Sequence, residues 1–156
     1  MPTSHHYQCT VEWTGAAADP TGDPQTFSRD ARVAWSGRPA IQASSAPQYQ
    51  GDPNRVNPEE LFISSLALCQ MLSYLYLAAR KRVRVLAYAD AAEGELALKD
   101  GKMRMVRVTL HPAITIAKDA DPAQALALVE PAHQGCFIAN SVSCPVVAEP
   151  VIAVED

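Results

Sequence analysis

Two cysteines are the residues of this sequence best suited to carry chemistry. Cys69 lies in the middle of a long apolar run, NPEELFISSLALCQMLSYLYLAA, that opens with a helix-start signature, and Cys136 lies in the segment AHQGCFIANS. A buried helix rarely has a chemical reason to carry one thiol at its centre unless a second group meets it there. Two thiols that meet can form a disulfide, which a thiol reductant reopens by exchange. The sequence therefore predicts that Cys69 and Cys136 form a redox couple.

Because Cys69 lies in the middle of the predicted helix, the helix backbone does not stabilise the thiolate form of its side chain. A cysteine in the first turn of a helix faces N–H groups and the positive end of the helix dipole, which favour thiolate, whereas a cysteine in mid-helix does not. The surrounding leucines disfavour a charged thiolate further. An activating cation must therefore come from elsewhere in the fold.

The remaining cysteines do not predict a disulfide scaffold. The N-terminal segment MPTSHHYQCTVEW lacks the pattern of a secretory signal, which predicts a cytoplasmic protein. Thiols in that compartment are kept reduced, so a pair that does oxidise there is more often catalytic or sensing. Cys9 and Cys144 are expected to be packing residues.

A metal centre is the alternative use of these side chains. Cys69, His133, Cys136 and Cys144 could in principle supply four zinc ligands, but the sequence has no closely paired spacing such as Cys-x2-Cys. We therefore predict no metal and no cofactor, and we expect His133 to be a capping or packing residue.

Composition and charge limit the fold and the partners. With 156 residues, of which 48% are hydrophobic, residues 1–156 are predicted to form a single domain with its own core. The formal net charge of -4 gives no broad positive field of the kind that attracts nucleic-acid phosphates. Nucleic acid is therefore an unexpected partner.

The apolar run has nearly the length of a membrane span. Residues 61–79 are nineteen positions without a charge, followed by the basic cluster RKRVR, and about 20 apolar residues are enough to cross a bilayer. Three serines and a glutamine dilute the run, however, and the strands predicted around it need a helix to cover them. A buried core helix and no membrane association are therefore predicted.

The start of this helix is well specified. Asn57 is a suitable N-cap, Pro58 fits the first helical position, and Glu60 stands at capping-box spacing from Asn57. The helix is predicted to end at about Arg82. Its apolar positions cover nearly the whole circumference, which implies burial on all sides. A single small chain can hardly bury such a helix completely.

Strands are predicted on both sides of the helix, which gives an α+β fold. Before it, alternation predicts one strand over about 6–14, a second in TFSRDARVAW and a third in AIQASSA. After it, VRVLAYAD and EGELALKDGKMRMVRVTLHPAITIA are predicted to form three strands, with a tight turn at Asp100 and Gly101 between the last two.

A second helix is predicted in the segment DPAQALALVEPAHQG. Asp121 is its N-cap and Pro122 its first residue, Pro131 should kink or split it, and Gly135 is placed to end it. Cys136 then begins a new turn, CFIANS, and a last strand follows in PVVAEPVIAV.

The segments NPEELFISSLALC and AHQGCFIANSV together resemble the family of osmotically inducible protein C and the organic hydroperoxide resistance proteins (OsmC/Ohr). The resemblance covers about residues 7–153 and includes the order of strands and helices. It implies antiparallel sheets wrapped around long central helices in an intertwined homodimer, an arrangement that would bury the apolar helix. It also implies a thiol-dependent peroxidase that reduces organic hydroperoxides and is recycled by a dithiol such as a lipoyl protein.

The resemblance implies a role for three residues on or after the long helix. Cys69 matches the cysteine that attacks the hydroperoxide, Cys136 matches the resolving cysteine, and Glu59 matches the glutamate of the Asn-Pro-Glu opening. Ten residues of helix rise by about 15 Å, so Glu59 cannot touch Cys69 of the same chain. Either an arginine paired with Glu59 faces the sulfur, or Glu59 meets the cysteine of a partner subunit.

The resemblance also implies an active-site arginine. In the hydroperoxide resistance branch it lies at the start of the second strand, where SRDAR makes Arg29 the best candidate and Arg32 and Arg38 its alternatives. In the osmotically inducible branch it comes from the loop before the helix, where this chain has Gln48. A guanidinium would favour the thiolate and stabilise the alkoxide that develops as the peroxide O–O bond breaks.

A second class of function stays open at this point. A dimeric module that binds a small hydrophobic ligand around Cys69, or that uses its thiols as a redox sensor, would carry the same two segments. Such a module predicts tight ligand binding with negligible turnover, whereas a peroxidase predicts dithiol-dependent loss of an organic hydroperoxide.

Overall fold

The computed structural model of the chain describes residues 3–18 and 20–156 and has the predicted α+β composition. Its helices are α1 (Pro58–Arg80), α2 (Pro122–Ala127) and α3 (Val129–Gln134). Its strands are β1 (Thr10–Trp13), β2 (Ala31–Ala34), β3 (Ile41–Ala43), β4 (Val85–Asp90), β5 (Glu93–Lys99), β6 (Lys102–Leu110), β7 (Pro112–Ile116), β8 (Val146–Ala148) and β9 (Val151–Val154).

The chain divides into two compact units, residues 1–61 and residues 62–156. The first unit contains the antiparallel sheet β1-β2-β3. A parallel bridge from Ala43 to Val56 ties this sheet to the segment that enters α1. The three strands predicted before the helix are confirmed, although each is shorter than expected. That residues 1–156 form a single domain stays a prediction.

Both ends of α1 are fixed by local hydrogen bonds. The Asn57 side chain accepts from the Glu60 N–H (2.9 Å), and the Glu60 carboxylate accepts from the Asn57 N–H (3.0 Å), which confirms the predicted capping box. The helix ends at Arg80 rather than at Arg82 because Arg82 adopts the left-handed conformation (φ 58°). Val83 then donates to the Ala78 carbonyl at 2.9 Å, as in a Schellman motif.

The second unit has two three-stranded sheets, β4-β7-β9 and β5-β6-β8. The stretch predicted as three strands forms four, because the chain leaves the ladder at His111 and Pro112 has no N–H to continue it. The last predicted strand is likewise two, interrupted at Glu149 and Pro150. At both interruptions the chain passes from one sheet to the other.

The prediction of purely antiparallel sheets is wrong for these two sheets. Strands β8 and β9 pair in parallel with β6 and β7 respectively, while the other pairings are antiparallel. The helices α2 and α3 lie in the connections from β6 to β8 and from β7 to β9, and parallel neighbours need a crossover connection of this kind.

The second helical segment is split as its proline predicts. Asp121 caps α2 by accepting from the Ala123 N–H at 2.9 Å. Pro131 cannot donate to the carbonyl of Ala127, which is the last residue of α2, and the helix restarts as α3 after Leu128. Gly135 is the C-cap of α3, also as predicted.

Only one face of α1 is buried within the single chain. Leu66, Gln70, Tyr74 and Ala78 are buried at four-residue spacing, whereas Leu68, Leu72 and Tyr76 are 54%, 56% and 62% exposed. The expectation of burial on all sides is therefore wrong for one copy of the chain, because the described strands and helices cover only that face.

Helix α1 has the length and mean hydropathy of a membrane-crossing helix, and it alone does so among the described helices. Core helices of soluble proteins share both properties. Tyr74 and Ala78 of its buried face belong to a hydrophobic cluster with residues of β7, α2 and α3, and Leu66 belongs to a second cluster with residues of β6.

Candidate functional site

The two cysteines that the sequence predicts to pair are neighbours in the second unit. The Cys69 thiol lies near enough to Cys136 to raise the pKa of the Cys136 thiol, and both cysteines are free. Cys69 lies in the middle of α1 and is half-buried, while Cys136 is only 1% exposed. Two sulfur atoms this close can exchange a proton or be oxidised to a disulfide.

A short turn after α3 positions Cys136. Its N–H donates to the His133 carbonyl (3.1 Å), and its own carbonyl accepts from the Asn140 N–H (3.0 Å). The Ala139 N–H points at the Cys136 sulfur, 3.4 Å away. The predicted turn CFIANS is thus confirmed, and it fixes both the backbone and the sulfur of Cys136.

Burial decides the protonation state of Cys136. It raises the pKa of this thiol to about 11, and the hydrogen bond to Cys69 acts in the same direction, while the Ala139 N–H opposes both. Cys136 is therefore a neutral thiol at neutral pH. In that form it is a weak nucleophile and can donate a hydrogen bond to the Cys69 sulfur.

Arg29 lies in the first unit and is bonded to neutral acceptors. Its guanidinium donates to the Phe27 carbonyl, to the Pro24 carbonyl (2.5 Å) and to the Gln50 side chain (2.7 Å). It also lies 3.7 Å from the centre of the Phe27 ring. Among the described residues no carboxylate neutralises its charge, which leaves the guanidinium able to pair with an anion.

The two alternative arginines differ from Arg29. Arg32 forms an exposed ion pair with Glu12 at 3.3 Å, and the Arg38 side chain lies in an exposed turn. A charge that is already paired or fully hydrated contributes less to activating a thiol than a half-buried one. Of the three, Arg29 alone combines partial burial with the lack of a carboxylate partner among the described residues.

Glu59 also lies in the first unit, in the first turn of α1. Its Oε2 atom is buried and has no hydrogen-bond partner in the described part of the chain. A buried carboxylate oxygen without a donor is unfavourable. Among the described residues, Arg29 thus has no carboxylate partner and Glu59 Oε2 has no donor. Each of the two residues could supply the group that the other lacks.

The other predicted residues lie outside this pair. Cys144 packs against the cluster around Leu66, as expected, whereas Cys9 is exposed and the prediction that it packs is wrong, because nothing in the described chain covers that segment. No group of three or more His, Cys, Asp or Glu side chains among the described residues is arranged to hold a metal ion. His133 has a buried Nδ1 that has no hydrogen-bond partner within residues 3–18 and 20–156.

Sequence reasoning missed two buried polar residues beside this pair. Gln70 donates to the Val129 carbonyl (3.2 Å) and Tyr74 to the Ala125 carbonyl (3.0 Å). From the sequence, Gln70 is only one of the polar residues that interrupt an apolar run. The signal that could have identified it is the polar pair at four-residue spacing on a helix whose other buried residues are apolar.

Comparisons with known proteins concern the family and the fold. Residues 51–150 match the family model described as OsmC-like protein. An OsmC-like protein of unknown function from Vibrio cholerae has a similar structure, with a TM-score of 0.87 and 32% identity over 95% of this chain and 100% of that one. No curated protein matches the sequence.

Two solved structures named as organic hydroperoxide resistance proteins share the fold. The one from Elizabethkingia anophelis has a TM-score of 0.72 and 17% identity, covering 99% of this chain and 100% of that one. The one from Bacillus subtilis has a TM-score of 0.60 and 16% identity, covering 97% and 98%. At such identities the likeness shows the fold alone.

The raised pKa of Cys136 predicts the pH dependence of its alkylation. In a Cys9→Ser, Cys144→Ser variant, iodoacetamide should label Cys136 about tenfold faster for each added pH unit, because the thiolate fraction grows in that proportion below the pKa. The rise should continue towards pH 11. Peptide mass spectrometry separates Cys136 from Cys69.

The same protein unfolded in urea is the control, and its labelling rate should level off near the ordinary thiol pKa of about 9. A plateau below pH 9 in the folded protein would contradict the protonation state assigned to Cys136.

Proposed function

This chain belongs to the OsmC-like protein family, and we propose that it is a cysteine-based peroxidase that reduces organic hydroperoxides. The observation that carries this proposal is the proximity of the Cys69 and Cys136 thiols, one half-buried and one fully buried. A hydroperoxide resistance function is named for fold relatives, which supports the choice of an organic hydroperoxide as the substrate.

In the first step the Cys69 thiolate attacks the terminal oxygen of the hydroperoxide. The O–O bond breaks, the alkoxide takes up a proton and leaves as an alcohol, and Cys69 becomes a sulfenic acid. Cys69 is the attacking residue because it is the more exposed of the two, whereas Cys136 is buried and stays protonated.

In the second step Cys136 resolves the sulfenic acid. The Cys136 sulfur attacks the Cys69 sulfur, the S–O bond breaks, and the leaving hydroxide takes the Cys136 proton to form water. The raised pKa of Cys136 keeps that proton available. A dithiol such as a lipoyl protein then reduces the disulfide by exchange and is itself oxidised to a disulfide. The cytoplasm is the compartment that we propose for this cycle.

Arg29 is proposed to stabilise the charge that develops on the departing oxygen. Its guanidinium has no carboxylate partner among the described residues, and Glu59 has a buried oxygen without a donor. A pairing of Arg29 with Glu59 would satisfy both groups and orient the guanidinium. A guanidinium that meets the Cys69 sulfur would favour both the thiolate and the alkoxide.

The active protein is proposed to be an intertwined homodimer. The support is the row formed by Leu68, Leu72 and Tyr76, more than half exposed at four-residue spacing along the helix that carries Cys69. Such a row on a core helix is unfavourable in water, and a second copy of the same helix would cover it.

The central test of the peroxidase proposal separates the two cysteines. Cys69→Ser should abolish dithiol-dependent consumption of cumene hydroperoxide, because no peroxidatic sulfur remains. Cys136→Ser should still react once and leave a sulfenic acid that a dimedone probe traps. Cys9→Ser and Cys144→Ser are matched controls and should keep the wild-type rate.

Full activity in Cys69→Ser would rule the proposal out. Tight binding of an apolar ligand by the wild-type protein without any turnover would favour the non-enzymatic alternative instead.

The role of Arg29 predicts a loss of rate rather than of stability. Arg29→Gln should lower kcat/KM for the organic hydroperoxide by about 100-fold, the usual effect of removing one donor that stabilises developing charge. Arg32→Gln, which removes only an exposed ion pair with Glu12, should change it less than about twofold. Steady-state kinetics with both variants decide between the arginines, and equal rates for Arg29→Gln and wild type would remove Arg29 from the mechanism.

The dimer proposal predicts the effect of a charge on the exposed row of α1. Leu72→Glu should convert the dimer to a monomer, because a carboxylate would be buried at the contact without a partner. Leu126→Glu places the same charge on a 51% exposed leucine of α2 and should leave the dimer intact. Sedimentation velocity measures both, and a wild-type monomer at micromolar concentration would exclude the dimer.

A further inference from the structure

Gln70 is a polar residue in the centre of an apolar core, directly after Cys69 in the chain. It is 1% exposed, and on α1 it lies between the buried residues Leu66 and Tyr74. We propose that Gln70 is a positioning residue that holds Cys136 within bonding distance of Cys69, an inference that rests on the redox role proposed above for the two cysteines.

Two side chains of α1 connect it to the segment that carries Cys136. Gln70 Nε2 donates to the Val129 carbonyl at 3.2 Å, and the Tyr74 hydroxyl donates to the Ala125 carbonyl at 3.0 Å. Ala125 lies in α2 and Val129 is the first residue of α3, so the two hydrogen bonds lie on opposite sides of the break between these helices.

Because α2 and α3 are separate helices, each needs its own connection to α1. Pro131 prevents α2 and α3 from forming one continuous helix, and a helix as short as the six-residue α3 does not hold itself in place. The position of α3 relative to α1 therefore depends on tertiary contacts. Of the two hydrogen bonds, only the one from Gln70 is made to α3.

From Val129 onward the backbone transmits the position of α3 to Cys136. Gly135 donates to the Pro131 carbonyl at 3.0 Å, and Cys136 donates to the His133 carbonyl at 3.1 Å. This hydrogen-bonded segment leaves little freedom between the first residue of α3 and the thiol. Fixing Val129 against α1 thus fixes Cys136 beside Cys69.

Stability does not explain why the residue is a glutamine. Gln70 Oε1 is buried and has no hydrogen-bond partner in the described part of the chain, so the amide is only half satisfied. A leucine at this position would remove the unpaired oxygen and still fill the core. What the glutamine provides instead is the hydrogen bond to the Val129 carbonyl, which fixes the distance between α1 and α3.

The test is the reduction potential of the Cys69–Cys136 couple in a Cys9→Ser, Cys144→Ser background, measured in buffers of oxidised and reduced dithiothreitol. Gln70→Leu should lower the equilibrium constant for disulfide formation about tenfold, because the two thiols are held together less often. That change raises the potential by about 30 mV. The melting temperature should stay the same or rise.

Tyr74→Phe is the matched control, since it removes the connection to α2 and leaves the connection to α3. It should lower the melting temperature and change the equilibrium constant less than Gln70→Leu does. If Gln70→Leu does not fold, Gln70→Met keeps the length of the side chain without the amide and serves in its place.

The outcomes separate this inference from the function on which it rests. Equal potentials for wild type and the Gln70 variant would overturn the positioning role while leaving the peroxidase proposal intact. A wild-type protein whose disulfide forms in the dithiothreitol buffers but which consumes no hydroperoxide would overturn the peroxidase alone. Absence of a wild-type disulfide even in the most oxidising buffer would overturn both.

Discussion

The packing of α1 against the split helix α2–α3 is the interaction on which the rest of the site depends. Tyr74 and Ala78 of α1 share one buried cluster with Ala125, Val129 and Ala132 of the split helix. Burial of this apolar surface supplies the stabilisation. As a consequence, the Cys69 thiol in the middle of α1 and the Cys136 thiol, in a turn far along the chain, become neighbours.

The same packing makes the two thiols chemically different. Cys136 is enclosed by the core and keeps its proton, because a charged sulfur would lose its hydration there. Cys69, in the middle of α1, is only half-buried and stays partly accessible. This difference in burial supports the proposed roles of Cys69 as the attacking and Cys136 as the resolving cysteine.

The features predictable from the sequence are those that local chemistry determines. The capping box at Asn57, the split caused by Pro131 and the turn at Cys136 each depend on residues close in the chain. The exchange of strands between two sheets and their parallel pairings depend on contacts between distant segments, which periodicity does not encode. The connection from Gln70 to Val129 was missed for the same reason, because it joins residues 59 positions apart.

The proposal that Cys69 and Cys136 form one redox couple can be tested by peptide mass spectrometry of the wild-type protein after reaction with one equivalent of an organic hydroperoxide under non-reducing conditions. We expect a single linked peptide joining Cys69 to Cys136, with Cys9 and Cys144 still free. Sulfinic acid at Cys69 together with an unmodified Cys136, or a disulfide that involves Cys144, would contradict it.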